Sequence, residues 1–200
     1  MKLNLLKNSL VALGLFSIST ASFSAPIFTD NFDSYALGVN ATNFSGNWNV
    51  SAGTIDVVGT GFFDFYPGNG NYIDLDGSTA QAGIFSSKTL NLAAGNYTLE
   101  FSLGGSQRGD TNTVNVSFGS YNEAFTLNSG DALNTFTRNV NLAIPSTVSL
   151  AFQNSGGDNL GAILGHASIT PAPEPETYAM LLAGLGIVGK AVRRKKRATC

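Results

Sequence analysis

The stretch Asn96-Tyr97-Thr98-Leu99-Glu100-Phe101-Ser102-Leu103 alternates apolar and polar side chains without a break. Tyr97, Leu99, Phe101 and Leu103 fall on one face, and a period of two belongs to a half-buried β-strand. The same alternation recurs outward from it: Val114, Val116 and Phe118 on one side, then Val140, Leu142 and Ile144, then Val148, Leu150 and Phe152. Further strands are expected at Ile27–Phe32, Trp48–Val50, Thr54–Val58, Tyr72–Asp76, Ile84–Leu92, Ala124–Leu127 and Ala162–Ile169. Turn clusters separate them, among them Pro67-Gly68-Asn69-Gly70, Gly104-Gly105 and Ser155-Gly156-Gly157. About ten or eleven short strands with no amphipathic helix between them predict an all-β fold, an antiparallel jelly roll or β-sandwich.

Composition agrees. Charged residues make up 12% of the 200 residues where about 25% is usual, and 23 are Gly, which disfavours a helical bundle or a charged disordered chain. The net charge of -2 carries no bulk bias toward nucleic acid. It hides a segregation, however: residues 26–170 hold three basic against eleven acidic residues, while six of the eleven basic residues lie in Lys190–Arg197.

The two ends read as targeting segments. Lys2 and Lys7, an apolar run from Leu10 to Ile18 and small residues after it follow the plan of a secretory signal peptide over residues 1–24. Residues 25–170 form the expected sandwich domain, residues 171–176 (Pro-Ala-Pro-Glu-Pro-Glu) a proline-rich linker. Tyr178–Gly189 is continuously apolar, and Thr177–Val192 extends it to sixteen residues. As a transmembrane helix that would cover about 24 Å of a core near 30 Å. Arg193, Arg194, Lys195, Lys196 and Arg197 would stay on the cytoplasmic side.

Pro173-Glu174-Pro175, then a short glycine-bearing apolar helix, then a basic cluster at the C-terminus, resembles the PEP-CTERM sorting domain of exopolysaccharide-producing Gram-negative bacteria, here over residues 173–197. The resemblance implies an exosortase partner that removes the tail near Pro173-Glu174-Pro175 after transient anchoring in the inner membrane, with delivery to the cell surface or matrix. The phrases Asn69–Ser78 (NGNYIDLDGS), Gly105–Ser120 (GSQRGDTNTVNVSFGS) and Gly156–Ile169 (GGDNLGAILGHASI) look like galactose-binding-like jelly rolls, a class linked to carbohydrate binding. Where relatives often read Leu-Asp-Asn-Val in the last strand, this chain has Leu164-Gly165-His166-Ala167, which lacks a carboxylate that a calcium site there would use.

Little chemistry is available for catalysis. His166 is the sole histidine and Cys200 the sole cysteine, and no nucleophile elbow, phosphate loop or zinc motif occurs, so no catalytic residue and no enzyme activity is expected. Calcium is a candidate structural cofactor, with Asp30, Asp33, Asp74 and Asp76 as oxygen donors; turn-forming Asx residues are the competing reading. A sugar site needs an aromatic face beside planar polar groups. Trp48, Tyr66 and Tyr72, with Phe65 and Tyr121, are candidate platforms, and Gln107, Arg108 and Asp110 the candidate polar partners. Trp48 and Tyr72 fit the core equally well. Two functions stay open: binding of exopolysaccharide, or a structural, self-associating surface protein without a glycan ligand.

Overall fold

The computed structural model describes residues 24–44, 46–79, 81–172 and 182–190. Fifteen strands follow in order: β1 (Phe28–Asp30), β2 (Gly38–Ala41), β3 (Asn43–Phe44), β4 (Trp48–Ser51), β5 (Ile55–Gly59), β6 (Asn71–Asp74), β7 (Ile84–Ser87), β8 (Leu90–Leu92), β9 (Gly95–Gly104), β10 (Thr111–Phe118), β11 (Tyr121–Asn128), β12 (Asn134–Leu142), β13 (Ser146–Val148), β14 (Leu150–Ser155) and β15 (Ile163–Pro171). One antiparallel sheet runs β12-β9-β15-β6-β5-β2, with β1 added on β15; the other runs β11-β10-β14-β7-β4-β3. A two-stranded ribbon, β13-β8, completes the all-β sandwich.

Alternation places the core. Leu99, Phe101 and Leu103 of β9 are fully buried, as are Val114, Val116 and Phe118 of β10 in the facing sheet. Phe101 packs edge-on to Phe152 of β14 at 5.6 Å, and each such side chain contributes about 1.5–3 kcal/mol by leaving water. Strand β15 is central to its sheet. Along one side it pairs with β9 from Ile163 to Pro171; along the other it pairs with β6 at Ile163 and Leu164 and with β1 from Ala167 to Ile169. A bulge between Leu164 and His166 separates those two partners.

Several expected boundaries move. Residues 84–92 form two strands, β7 and β8, rather than one, and β6 ends at Asp74, leaving Asp76 beyond it. Ile144 lies outside β12 and is exposed, because the apolar alternation runs on into the turn at Pro145. Strands β2 and β3 carry no alternating signature and have no counterpart among the sequence expectations.

Pairing of β5, β6 and β15 brings Asp56, Asp74 and Ile163 into one row across the sheet. Val58, Tyr72 and Ile163 form a second, smaller apolar cluster, covered by Phe62, Phe65, Tyr66 and Leu133. The connection between β5 and β6 therefore closes over the sheet with its aromatic side chains.

The C-terminal helix covers residues 182–190, about 14 Å at 1.5 Å per residue. Among the described residues no helix is long and apolar enough to cross a membrane. The rest of the sixteen-residue apolar stretch, the signal segment, Pro173, Glu174 and Pro175, and the basic cluster 193–197 lie outside the described residues.

Candidate functional site

The residue types named from sequence divide into three places. Trp48 is only 2% exposed, its ring stacked on Phe85 at 4.3 Å and edge-on to Phe28 at 5.2 Å. Its indole N–H donates to Asp30 Oδ2 at 2.9 Å. Both ring faces are unavailable, so Trp48 is a core residue and not a sugar platform. Tyr72 is likewise buried. Its hydroxyl donates to Asp64 Oδ1 at 3.0 Å and accepts from the Tyr66 amide at 3.0 Å, and burial pushes its pKa up to about 12. It is the pillar under the aromatic connection.

Asp30 and Asp33 serve as turn braces. Asp30 Oδ1 accepts from the Phe32 amide, and Oδ2 accepts from both Tyr35 and Trp48. Asp33 Oδ1 accepts from the Asn71 amide at 2.8 Å and Oδ2 from Asn31 at 2.7 Å. Among the described residues no three His, Cys, Asp or Glu side chains gather as a metal site, so the expected ligand set Asp30, Asp33, Asp74 and Asp76 is not assembled. An open polar hollow of about 450 Å³ beside Asp30 has no aromatic lining.

The third place combines Arg108 with Asp74. Arg108 Nη2 donates to Asp74 Oδ2 at 2.5 Å, and Nη1 donates to the Asn159 carbonyl at 2.8 Å. Its guanidinium carbon lies 4.8 Å over the Phe65 ring, within cation–π range. Burial outweighs the guanidinium and pushes the Asp74 carboxyl up to about 7. These groups line a cavity of about 190 Å³ together with Asp56, Val58, Phe63 and Ser78. Phe63 is 59% exposed and lies nearly parallel to Phe65, ring centres 6.4 Å apart. Its φ of 49° is in the left-handed region, which a bulky residue seldom adopts. Local strain of this kind concentrates at ligand sites. Asp56 accepts from the Asn40 amide and from both the amide and hydroxyl of Ser78, which leaves that carboxylate fully engaged.

Tyr66 and Gln107 support this wall. The Tyr66 hydroxyl donates toward the Gly105 and Asp131 carbonyls at 2.6 and 2.7 Å, and Gln107 Nε2 donates to the Tyr66 oxygen at 2.8 Å. Asp110 accepts from Ser106 and Asn112 instead of facing the cavity. His166 Nδ1 is 2.9 Å from Ser102 Oγ, and Nε2 is 3.3 Å from Glu100 Oε1, a cross-strand brace beside a second hollow of about 240 Å³.

Phe63, Asp56, Ser78 and Asn159 were not among the candidate site residues read from sequence. Phe62-Phe63-Asp64-Phe65-Tyr66, an aromatic run confined between Gly61 and Pro67, is the signal that marks the wall.

Residues 171–197 match the PEP-CTERM protein-sorting motif. The PEP-CTERM tail thus begins at the last residue of β15. No curated protein sequence matches the chain. Among solved structures, a xylan-binding domain, CBM22-1 of Paenibacillus barcinonensis Xyn10C, superposes at a TM-score of 0.53 with 11% identity, covering 78% of this chain and 99% of that one. A CBM6 module from the Cellvibrio mixtus lichenase 5A, solved in complex with cellotriose, has 16% identity and a TM-score of 0.39 over 74% of this chain and 100% of that one. The first of these shows that the chain shares the jelly-roll fold of that domain; at 11% identity the likeness is one of fold alone.

Proposed function

We propose that this is an exported protein, sorted to the cell surface through its PEP-CTERM tail, whose sandwich binds extracellular polysaccharide at the Phe63–Arg108 cavity. The observation that carries the reading is the pairing of an exposed aromatic face, Phe63 beside Phe65, with a guanidinium fixed at 4.8 Å over Phe65. Sugar C–H groups pack on the ring while the polar rim takes hydroxyls. At about 190 Å³ the cavity is smaller than the usual 300–1,000 Å³ of small-molecule sites. Contacts are therefore few, and retention on a polymer relies on many weak engagements.

Binding without turnover fits the electrostatics, because Asp74 is paired with Arg108 and Asp56 is occupied by three donors. Both carboxylates are already held by protein donors. In this reading an exosortase recognises Pro173, Glu174 and Pro175, with the basic cluster Arg193–Arg197 as the end of its signal.

The test uses the unit Ser24–Pro175, which contains all fifteen strands and both hydrophobic clusters. Calorimetric titration with the exopolysaccharide of the producing organism should give saturable heat, reduced about tenfold in affinity by Phe63→Ala. Absence of saturable binding to the unsubstituted unit, or equal binding by Phe63→Ala, would refute the site.

A further inference from the structure

A second polar cluster lies apart from the lining of that cavity, where the end of β6, the start of β10 and the end of β14 meet. Asp76, Asn112 and Asn154 are 0, 2 and 4% exposed. Two of their oxygens, Asp76 Oδ1 and Asn154 Oδ1, are buried with no hydrogen-bond partner. Buried polar atoms are almost always satisfied, so two orphans in one cluster call for a partner that is not a protein group.

Gly156 packs directly against this cluster. A Cβ at this position would meet Asp76 Oδ2 at 2.7 Å, Asn154 Nδ2 at 2.8 Å and Asn112 Oδ1 at 3.4 Å. Three side chains from three segments thus close on one point. Gly156 has no positive φ, so the space, and not the backbone conformation, is what calls for glycine here. Its loop is exposed, which leaves an entry path.

The donor set is oxygen-rich. Asn112 Nδ2 contacts Asp110 Oδ2 and, at 2.5 Å, the Leu160 carbonyl. A half-turn of the Asn112 amide gives up the hydrogen bond its Oδ1 accepts from Asn154 Nδ2 at 3.0 Å and turns oxygen toward Asp110 and Leu160, so that the cluster offers two carboxylates, two amide oxygens and a carbonyl. Acidic groups outnumber cations here: Asp158 lies beside Asp76 and Asp110 beside Asn112, while Arg108, which also acts on Asp76, is engaged by Asp74. Oxygen donors from separate segments of the chain, without nitrogen or sulfur, suit a hard divalent cation of calcium type, with water completing the shell.

We propose that Asp76, Asp110, Asn112, Asn154 and the Leu160 carbonyl bind one calcium ion. Of the four acids expected from sequence only Asp76 belongs to this site. The ion would tie the loop after β14 to the ends of β6 and β10, and Asn159 of that loop holds Arg108 in the polysaccharide cavity.

The experiment is calorimetry and thermal unfolding of metal-stripped Ser24–Pro175 with calcium chloride alone, so that its outcome does not depend on glycan binding. Calcium at about 100-fold above its Kd should raise the Tm by about 5–10 °C, reversed by chelator. Asp76→Asn and the half-exposed Asp110→Asn should each lose most of that shift, whereas Asp33→Asn should retain it. The absence of heat and shift in the unsubstituted unit would overturn the proposal. So would a full calcium shift in Asp110→Asn, or loss of the shift in Asp33→Asn, since either places the ion elsewhere; Asp110→Asn decides the matter should Asp76→Asn fail to fold.

Discussion

Arg108 and Asp74 form an ion pair of unequal exposure: the guanidinium is 24% exposed and faces the cavity, while the carboxylate it holds at 2.5 Å is 1% exposed. Removing the partner strands a buried charge, which costs far more than the pair contributes. Arg108→Leu should lower unfolding free energy by about 3–5 kcal/mol at pH 8, measured by urea denaturation. Adding Asp74→Asn should recover most of it. Equal stability of the single and double variants would show that Asp74 needs no counter-ion.

The same carboxyl sets a pH dependence. Its folded value of about 7 lies above the ordinary 3.8, so between about 4 and about 7 the folded state binds more protons than the unfolded one, and stability falls as pH rises through this window. Glu123, held down to about 2 by Arg138, works the other way below its ordinary 4.5. The Tm of Ser24–Pro175 in chelator should therefore rise as pH drops from about 7.5 to about 5 and decline again below about 4. Asp74→Asn should flatten the upper limb; a slope unchanged by it would assign that limb to another group.

Asp30 anchors the opening turn through Trp48 and Tyr35. Asp30→Ala leaves the indole N–H and the phenol without acceptors, at about 1–3 kcal/mol for each. Thermal unfolding with tryptophan fluorescence as the probe should show the loss. A variant within about 0.5 kcal/mol of the parent would mean that water replaces the carboxylate.

Processing of the tail is read by intact mass. The protein recovered from the cell surface should end near Pro173-Glu174-Pro175, and a mature species retaining Tyr178–Cys200 would contradict exosortase removal.

Strands with strict alternation, β9 and β10 above all, were legible from sequence because one face of each is wholly buried. Strand β12 was legible only in its second half, since Asn134–Arg138 lies at the sheet edge and carries polar residues on both faces. Trp48 stayed open between core and sugar platform for a different reason: a tryptophan whose N–H finds a buried carboxylate is indistinguishable, in sequence, from one offered to a sugar. Arg108 and Asp74 were each named, but for separate roles, because only the β6–β15–β9 pairing brings positions 34 apart into contact. Phe63 was hidden by its neighbours: nothing local says which member of an aromatic run turns outward.

The position of β15 has a mechanical consequence. Its hydrogen bonding continues to the last residue before Pro173, where the Ala172 amide donates to the Asn96 carbonyl at 2.8 Å. A pull on the tail loads a strand zipped on both sides, to β9 and β1, so the bonds are strained together in shear and not one at a time. The sandwich can thus bear tension from whatever holds its C-terminus. A backbone hydrogen-bonded as far as residue 172 is also closed to a protease, so the tail removal proposed above is expected to fall at or beyond Pro173.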